Sequence, residues 1–219
     1  MPRVKLSKIV QVALFSLLLL LGSSAMADTA DFQITVPNPG LAASGNPSGT
    51  LFATVHLELN GSNQIVATVT MESGFKAFDV FGFNAPDHNT AGLTVTSNTA
   101  GWTVETAANK LPGQVDGFGK FDFVLNGPSQ GNNGSTTLSF TVNCAGGCTS
   151  VNQIVGIAGG SPAAGQEGAH FALHVYPLNS TNNTGFAGDG GAPVPEPASL
   201  ALLGLGLLGT GGWFRKRKS

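Results

Sequence analysis

TLFATVHLELNGSNQIVATVTM, residues 50–71, alternates apolar and polar side chains on both sides of a polar tetrapeptide. In its first half Leu51, Ala53, Val55, Leu57 and Leu59 fall on one face, and Thr54, His56 and Glu58 on the other. In its second half Ile65, Ala67, Val69 and Met71 repeat the pattern. A period of two marks a strand with one face against a core. Asn60-Gly61-Ser62-Asn63 between the halves supplies turn-forming residues, so the stretch predicts an antiparallel hairpin.

Outward from this hairpin, similar short runs recur between turn signals. They are DFQITV, AFDVFGF, LTVTS, GWTVET, KFDFVLN, TTLSFTV, NQIVGIA and AHFALHVY. Together they predict about ten strands and no convincing helix. The expected fold is all-β, a single antiparallel β-sandwich of jelly-roll or Greek-key type over residues 28–178. Residues 179–193, rich in Asn and Gly, read as a flexible linker.

Both ends of the chain read as addresses. Arg3, Lys5 and Lys8 precede an apolar run over residues 9–21, and Ala25 and Ala27 are small at the spacing a signal peptidase reads. Residues 1–27 are therefore expected to be a signal peptide cut after Ala27, in preference to an uncleaved anchor. At the other end, residues 198–214 are apolar or small. As a helix they would span roughly 25 Å, slightly short of a ~30 Å hydrocarbon core. Arg215, Lys216, Arg217 and Lys218 follow, a stop that holds the last residues on the cytoplasmic side. Pro195 and Pro197 place the helix start near Ala198 and leave residues 194–197 extended at the membrane surface.

Val194-Pro195-Glu196-Pro197, the short glycine-bearing span and the basic cluster together resemble the PEP-CTERM sorting tail, also labelled the ice-binding protein C-terminal motif. The resemblance covers residues 194–219. It implies a Gram-negative host, an inner-membrane precursor and processing near Pro-Glu-Pro by exosortase. It also implies association with exopolysaccharide or biofilm matrix. VDGFGKFDFVLN and HFALHVYPLN resemble phrases from the bodies of such proteins, and bring no activity with them.

Without its two ends the chain is acidic. Residues 28–193 hold three lysines, Lys76, Lys110 and Lys120, no arginine, and eleven Asp and Glu, a net charge of −8. A body without guanidinium groups is a poor partner for nucleic acid.

The chemistry-bearing residues are sparse. Cys144 and Cys148 bracket Ala-Gly-Gly, and in an oxidising compartment they are expected to form a local disulfide. His170 and His174 share one face of a strand, roughly 13 Å apart, and read as outward-facing polar residues instead of a metal pair. Gly-x-Ser-x-Gly at residues 127–131 leads into another turn and strand, so it reads as a loop and not a nucleophile elbow. The glycines of residues 204–209 match a dinucleotide fingerprint by spelling alone and lie in the tail. Asp79, Asp87, Asp116 and Asp122 are scattered, and read as solvated carboxylates in preference to a weak Ca²⁺ site. Asn60-Gly61-Ser62 fits a glycosylation pattern but serves better as the hairpin turn. Trp102 and Tyr176 are the body's two rings with a polar handle, the kind on which a sugar platform is built.

The sequence thus predicts a non-enzymatic, exported cell-surface or matrix protein without a cofactor. Its partners are signal peptidase, exosortase and exopolysaccharide. The alternative is a carbohydrate- or ice-binding module, with Thr54, Thr68 and Thr70 as fragments of a threonine row.

Overall fold

The hairpin read in residues 50–71 forms. Strands β3 (Ala53–Leu59) and β4 (Gln64–Met71) pair antiparallel, from Leu59 opposite Ile65 to Ala53 opposite Met71. Asn60 ties the turn by accepting the N–H groups of Ser62 and Gln64 on Oδ1. Asn63 takes φ +56°, a left-handed conformation that Asn tolerates better than most residues. The computed structural model describes residues 28–105, 113–115, 117–128, 134–157, 168–178 and 184–190. The expected leader with Ala25 and Ala27, and the tail from Val194 to Pro197 and from Arg215 to Lys218, lie outside these residues.

Two antiparallel sheets enclose the core. The first adds β1 (Thr29–Ile34), β6 (Leu93–Ser97) and β11 (Thr137–Cys144) to the hairpin, in the order β1-β3-β4-β11-β6. The second contains β2 (Val36–Pro37), β5 (Phe75–Phe83), β7 (Thr103–Glu105), β10 (Phe123–Asn126), β12 (Phe171–Pro177) and β13 (Gly185–Gly188), in the order β2-β13-β12-β5-β10-β7. DFQITV, expected as one strand, is split between the two sheets. The chain changes sheet at Thr35, whose N–H donates to the Gly188 carbonyl.

Phenylalanine joins the layers. Phe140 of the first sheet lies 5.1 Å from Phe83 and 5.7 Å from Phe81 of the second, and Phe32 lies 4.7 Å from Phe171. These rings are almost fully buried together with Val55, Leu57, Val69, Leu138 and Leu173. Large apolar rings in offset and tilted contact add packing energy to their burial, which locks the facing sheets in one arrangement.

A second, smaller apolar cluster lies on the outer side of the six-stranded sheet. A hairpin of β8 (Gly113–Val115) and β9 (Gly119–Phe121) folds over it. Val115, Phe118 and Phe121 are buried there against Val124 and Ala172, with Val36, Val80 and Phe186 packed at the margin. Glycine makes the approach feasible. A Cβ on Gly188 would meet Phe118 Cε1 at 2.6 Å, and one on Gly82 would meet Phe121 Cγ at 2.9 Å.

Three sequence expectations are corrected. NQIVGIA contributes a short 3-10 turn, Val151–Ile154, in place of a strand; Ser150 and Gln153 cap it reciprocally, and the Asp28 carboxylate accepts the Val151 N–H at 2.8 Å. One short helix exists, α1 (Pro39–Ala43), started by Asn38, whose Oδ1 accepts the Leu41 N–H, and by proline in the first turn. The expected linker over 179–193 is not all linker. Its residues Gly185–Gly188 are β13, paired with β12 and β2. Asp189 continues the order by accepting the N–H groups of His170 and Phe171. Among the described residues no helix is long and apolar enough to cross a membrane.

Candidate functional site

The second sheet places a row of rings on its outer side. His174 and Tyr176 are two apart on β12 and so face the same way, with ring centroids 4.7 Å apart. Phe186 is the cross-strand partner of His174 on β13 and stacks on it at 4.6 Å and 27°. Behind these rings, Asp79 of β5 is 3% exposed and has both oxygens engaged. Its Oδ1 lies 2.8 Å from His174 Nδ1, and its Oδ2 accepts the Tyr176 hydroxyl at 2.7 Å. A buried carboxylate held by two donors is a stable arrangement; with either donor removed, the other bond would have to carry it alone.

A recess of about 460 Å³ opens over this row. Asn38, Pro39 and Gly40 at the start of α1 form one wall, and Gly117 in the β8–β9 turn forms another. His174, Thr184, Gly185 and Phe186 complete the lining. Because Asp79 accepts at Nδ1, that nitrogen carries a proton, and in the neutral imidazole Nε2 then keeps its lone pair. Among the described residues nothing bonds Nε2, so the imidazole presents an acceptor beside an aromatic face.

Pairing with aspartate is common to all four histidines. His170 Nδ1 lies 2.8 Å from Asp189, His88 Nδ1 lies 3.1 Å from Asp122, and His56 Nδ1 lies 2.7 Å from Asp31. The His56–Asp31 pair is exposed and contributes little to stability. His170 and His174, expected to face solvent, are instead mostly covered, because Asp189 and Asp79 approach from neighbouring segments.

The first sheet has a different outer side. Thr54, Thr70 and Thr137 stand in register across β3, β4 and β11. A second row runs Asp31, His56, Thr68 and Ser139, and a third includes Glu58, Val66, Thr141 and Thr96. All are exposed or half-buried. Strands about 4.8 Å apart and a same-face repeat of about 6.8 Å along each strand turn this side into a grid of hydroxyls.

The other predicted residues are placed as follows. Cys144 and Cys148 are bonded, with Cα atoms 4.9 Å apart. The bridge closes a loop that reaches two neighbours: the Cys148 N–H donates to Asn63 O, and the Ala145 N–H donates to Gly92 O. Trp102 and Tyr176 are 6% and 7% exposed, so neither ring is an open platform for sugar. Trp102 packs on Phe78, and its Nε1 has no partner among the described residues. Asp122 accepts the Ala85 N–H, and Asp87 sits at φ +52° in the 3-10 turn Pro86–His88. Asp116 and Ser129 lie outside the described residues. Among those described, no three His, Cys, Asp or Glu side chains gather to hold a metal ion.

Sequence reading missed Asn38, Thr184 and Phe186. Their stretches look like loop and linker, and only the pairing of β13 brings them beside His174. No curated protein and no solved structure matches the chain. One family model does: residues 193–218 are a PEP-CTERM protein-sorting motif, which implies export, a membrane-anchored precursor that passes to the surface, and exosortase as the processing partner.

Proposed function

We propose that this is a non-catalytic protein of the extracellular matrix, delivered by its sorting tail and held in exopolysaccharide by many weak contacts of its β-rich body. The observation that carries the reading is the sorting motif at residues 193–218, directly following a folded body with one bare polar sheet face. That face offers hydroxyl groups in rows beside the Asp31 and Glu58 carboxylates and, among the described residues of these rows, no lysine or arginine. It suits a neutral, hydroxyl-rich polymer, where each contact is weak and the number of contacts sets the affinity. An acidic body also repels its own copies at low salt, which favours dispersion through a matrix.

Ice binding is a weaker reading. The Thr54, Thr70 and Thr137 row would suit it, but Asp31, His56 and Glu58 interrupt the adjoining rows.

The test is recovery of the protein from its own cells, with intact-mass analysis and fractionation. The reading expects a mass without residues 1–27, cleavage near Pro195 to Pro197, and co-fractionation with matrix polysaccharide. Protein that keeps its basic cluster and stays in the inner membrane would contradict it.

A further inference from the structure

We propose that the recess beside His174 is a saccharide subsite that takes one neutral pyranose ring. It rests on the matrix reading and gives that reading a specific contact. The volume, about 460 Å³, lies within the ~300–1,000 Å³ typical of small-molecule sites. The lining combines what a sugar ring needs. Phe186 and His174 both line it and stack on each other, with centroids 4.6 Å apart, so they present one compact aromatic stack against which the C–H side of a pyranose can pack. His174 Nε2 accepts a hydroxyl proton, and the Thr184 hydroxyl can either donate or accept.

Charge and tautomer narrow the ligand class. With the imidazole neutral, the Asp79 contact keeps its proton on Nδ1, and the nitrogen left for a ligand is then an acceptor that calls for a donor such as a hydroxyl. Among the described residues no lysine or arginine lines the recess, and Asp79 lies directly behind the imidazole. A carboxylate or sulfate on the sugar would meet a negative charge with nothing to offset it. Neutral hexoses are therefore the favoured class and uronates the disfavoured one. Asp79 and Tyr176 do not line the recess. They are positioning residues that hold the imidazole in one orientation.

The experiment uses the full chain in a sugar-free zwitterionic detergent. Saturation-transfer NMR is recorded with glucose, galactose, mannose and glucuronate at millimolar concentration. Transfer to at least one neutral hexose is expected, with little to glucuronate. His174→Gln should weaken binding by about tenfold or more, as loss of one directed hydrogen bond would. Phe186→Ala should abolish the signal. Because Phe186 also packs at the margin of the outer cluster, Thr184→Val is the second variant; it keeps the volume and should weaken binding with an unchanged unfolding midpoint. Thr54→Ala on the far sheet should leave the signal intact. No transfer to any hexose, or equal transfer in Thr184→Val and His174→Gln, overturns the subsite. If the chain still co-fractionates with matrix polysaccharide in that case, the matrix reading stands and only the subsite falls.

Discussion

The two antiparallel sheets share one core but treat their outer sides in opposite ways. The five-stranded sheet leaves Thr54, Thr68, Thr70, Ser139 and Thr141 in or near solvent. The six-stranded sheet turns apolar residues outward as well and covers them with the β8–β9 hairpin, burying Val115, Phe118 and Phe121 completely. A sheet buried on one side alternates in sequence, and one buried on both sides does not. The difference shows where the fold keeps its stability and where it leaves surface for others. The Asn98 side chain engages the Ser139 and Thr141 hydroxyls, which leaves those of Thr54, Thr68 and Thr70 to meet a ligand. Beneath the hairpin every side chain is committed to packing, except at the margin, where the recess forms.

The contrast can be broken most directly at Phe121. Truncation to alanine should cost about 3–5 kcal/mol, read from urea unfolding, because a fully buried ring is lost. A loss below ~1 kcal/mol would mean that the hairpin is not a structural cover. Gly188→Ala attacks the same cover from beneath by forcing Phe118 away. The upper part of the ~1–3 kcal/mol range for overpacking is expected, with a lower unfolding temperature, and an unchanged temperature would refute the close contact. On the bare-faced sheet the strongest single tether is the disulfide. Reducing it should destabilise the body by about 2 kcal/mol, as a five-residue loop implies, and denaturation with and without reductant measures this. The smallest effect belongs to the hydroxyl rows. Thr54→Ala or Thr70→Ala should stay within ~0.5 kcal/mol of the parent in the same assay. A larger loss would show that the rows hold the sheet together and are not merely displayed by it.

How much of this was legible in the sequence follows the same division. Residues 50–71 announced their hairpin because burial on one side leaves a clean alternation. In β12 the inward set, Phe171, Leu173 and Val175, could be read, but the cover over its other side could not. That cover comes from residues 113–121, far away in the chain, and no local pattern signals a visit from so distant a segment. KFDFVLN looked like one strand, yet Asp122 interrupts it to accept the Ala85 N–H and pair with His88. The glycines near residue 185 were the most misleading. Gly-rich composition suggests flexibility, but Gly185 and Gly188 are small because Leu41 and Phe118 pass so close. The start of α1 was readable in principle, since Asn38 before Pro39 is a helix-opening pair. The recess draws on four separate segments, so nothing in any one of them pointed to it.

Strand β13 and the Asp189 clamp also bear on how the chain is handled after export. Gly190 is the last described residue, and Val194 opens the Pro-Glu-Pro stretch. Four peptide steps reach at most about 14 Å. Under the proposed processing at that stretch, the enzyme would work within that reach of a finished β-structure. Either its entrance would accommodate the end of the fold near His170 and Val36, or β13 would peel away from β12 before the cut.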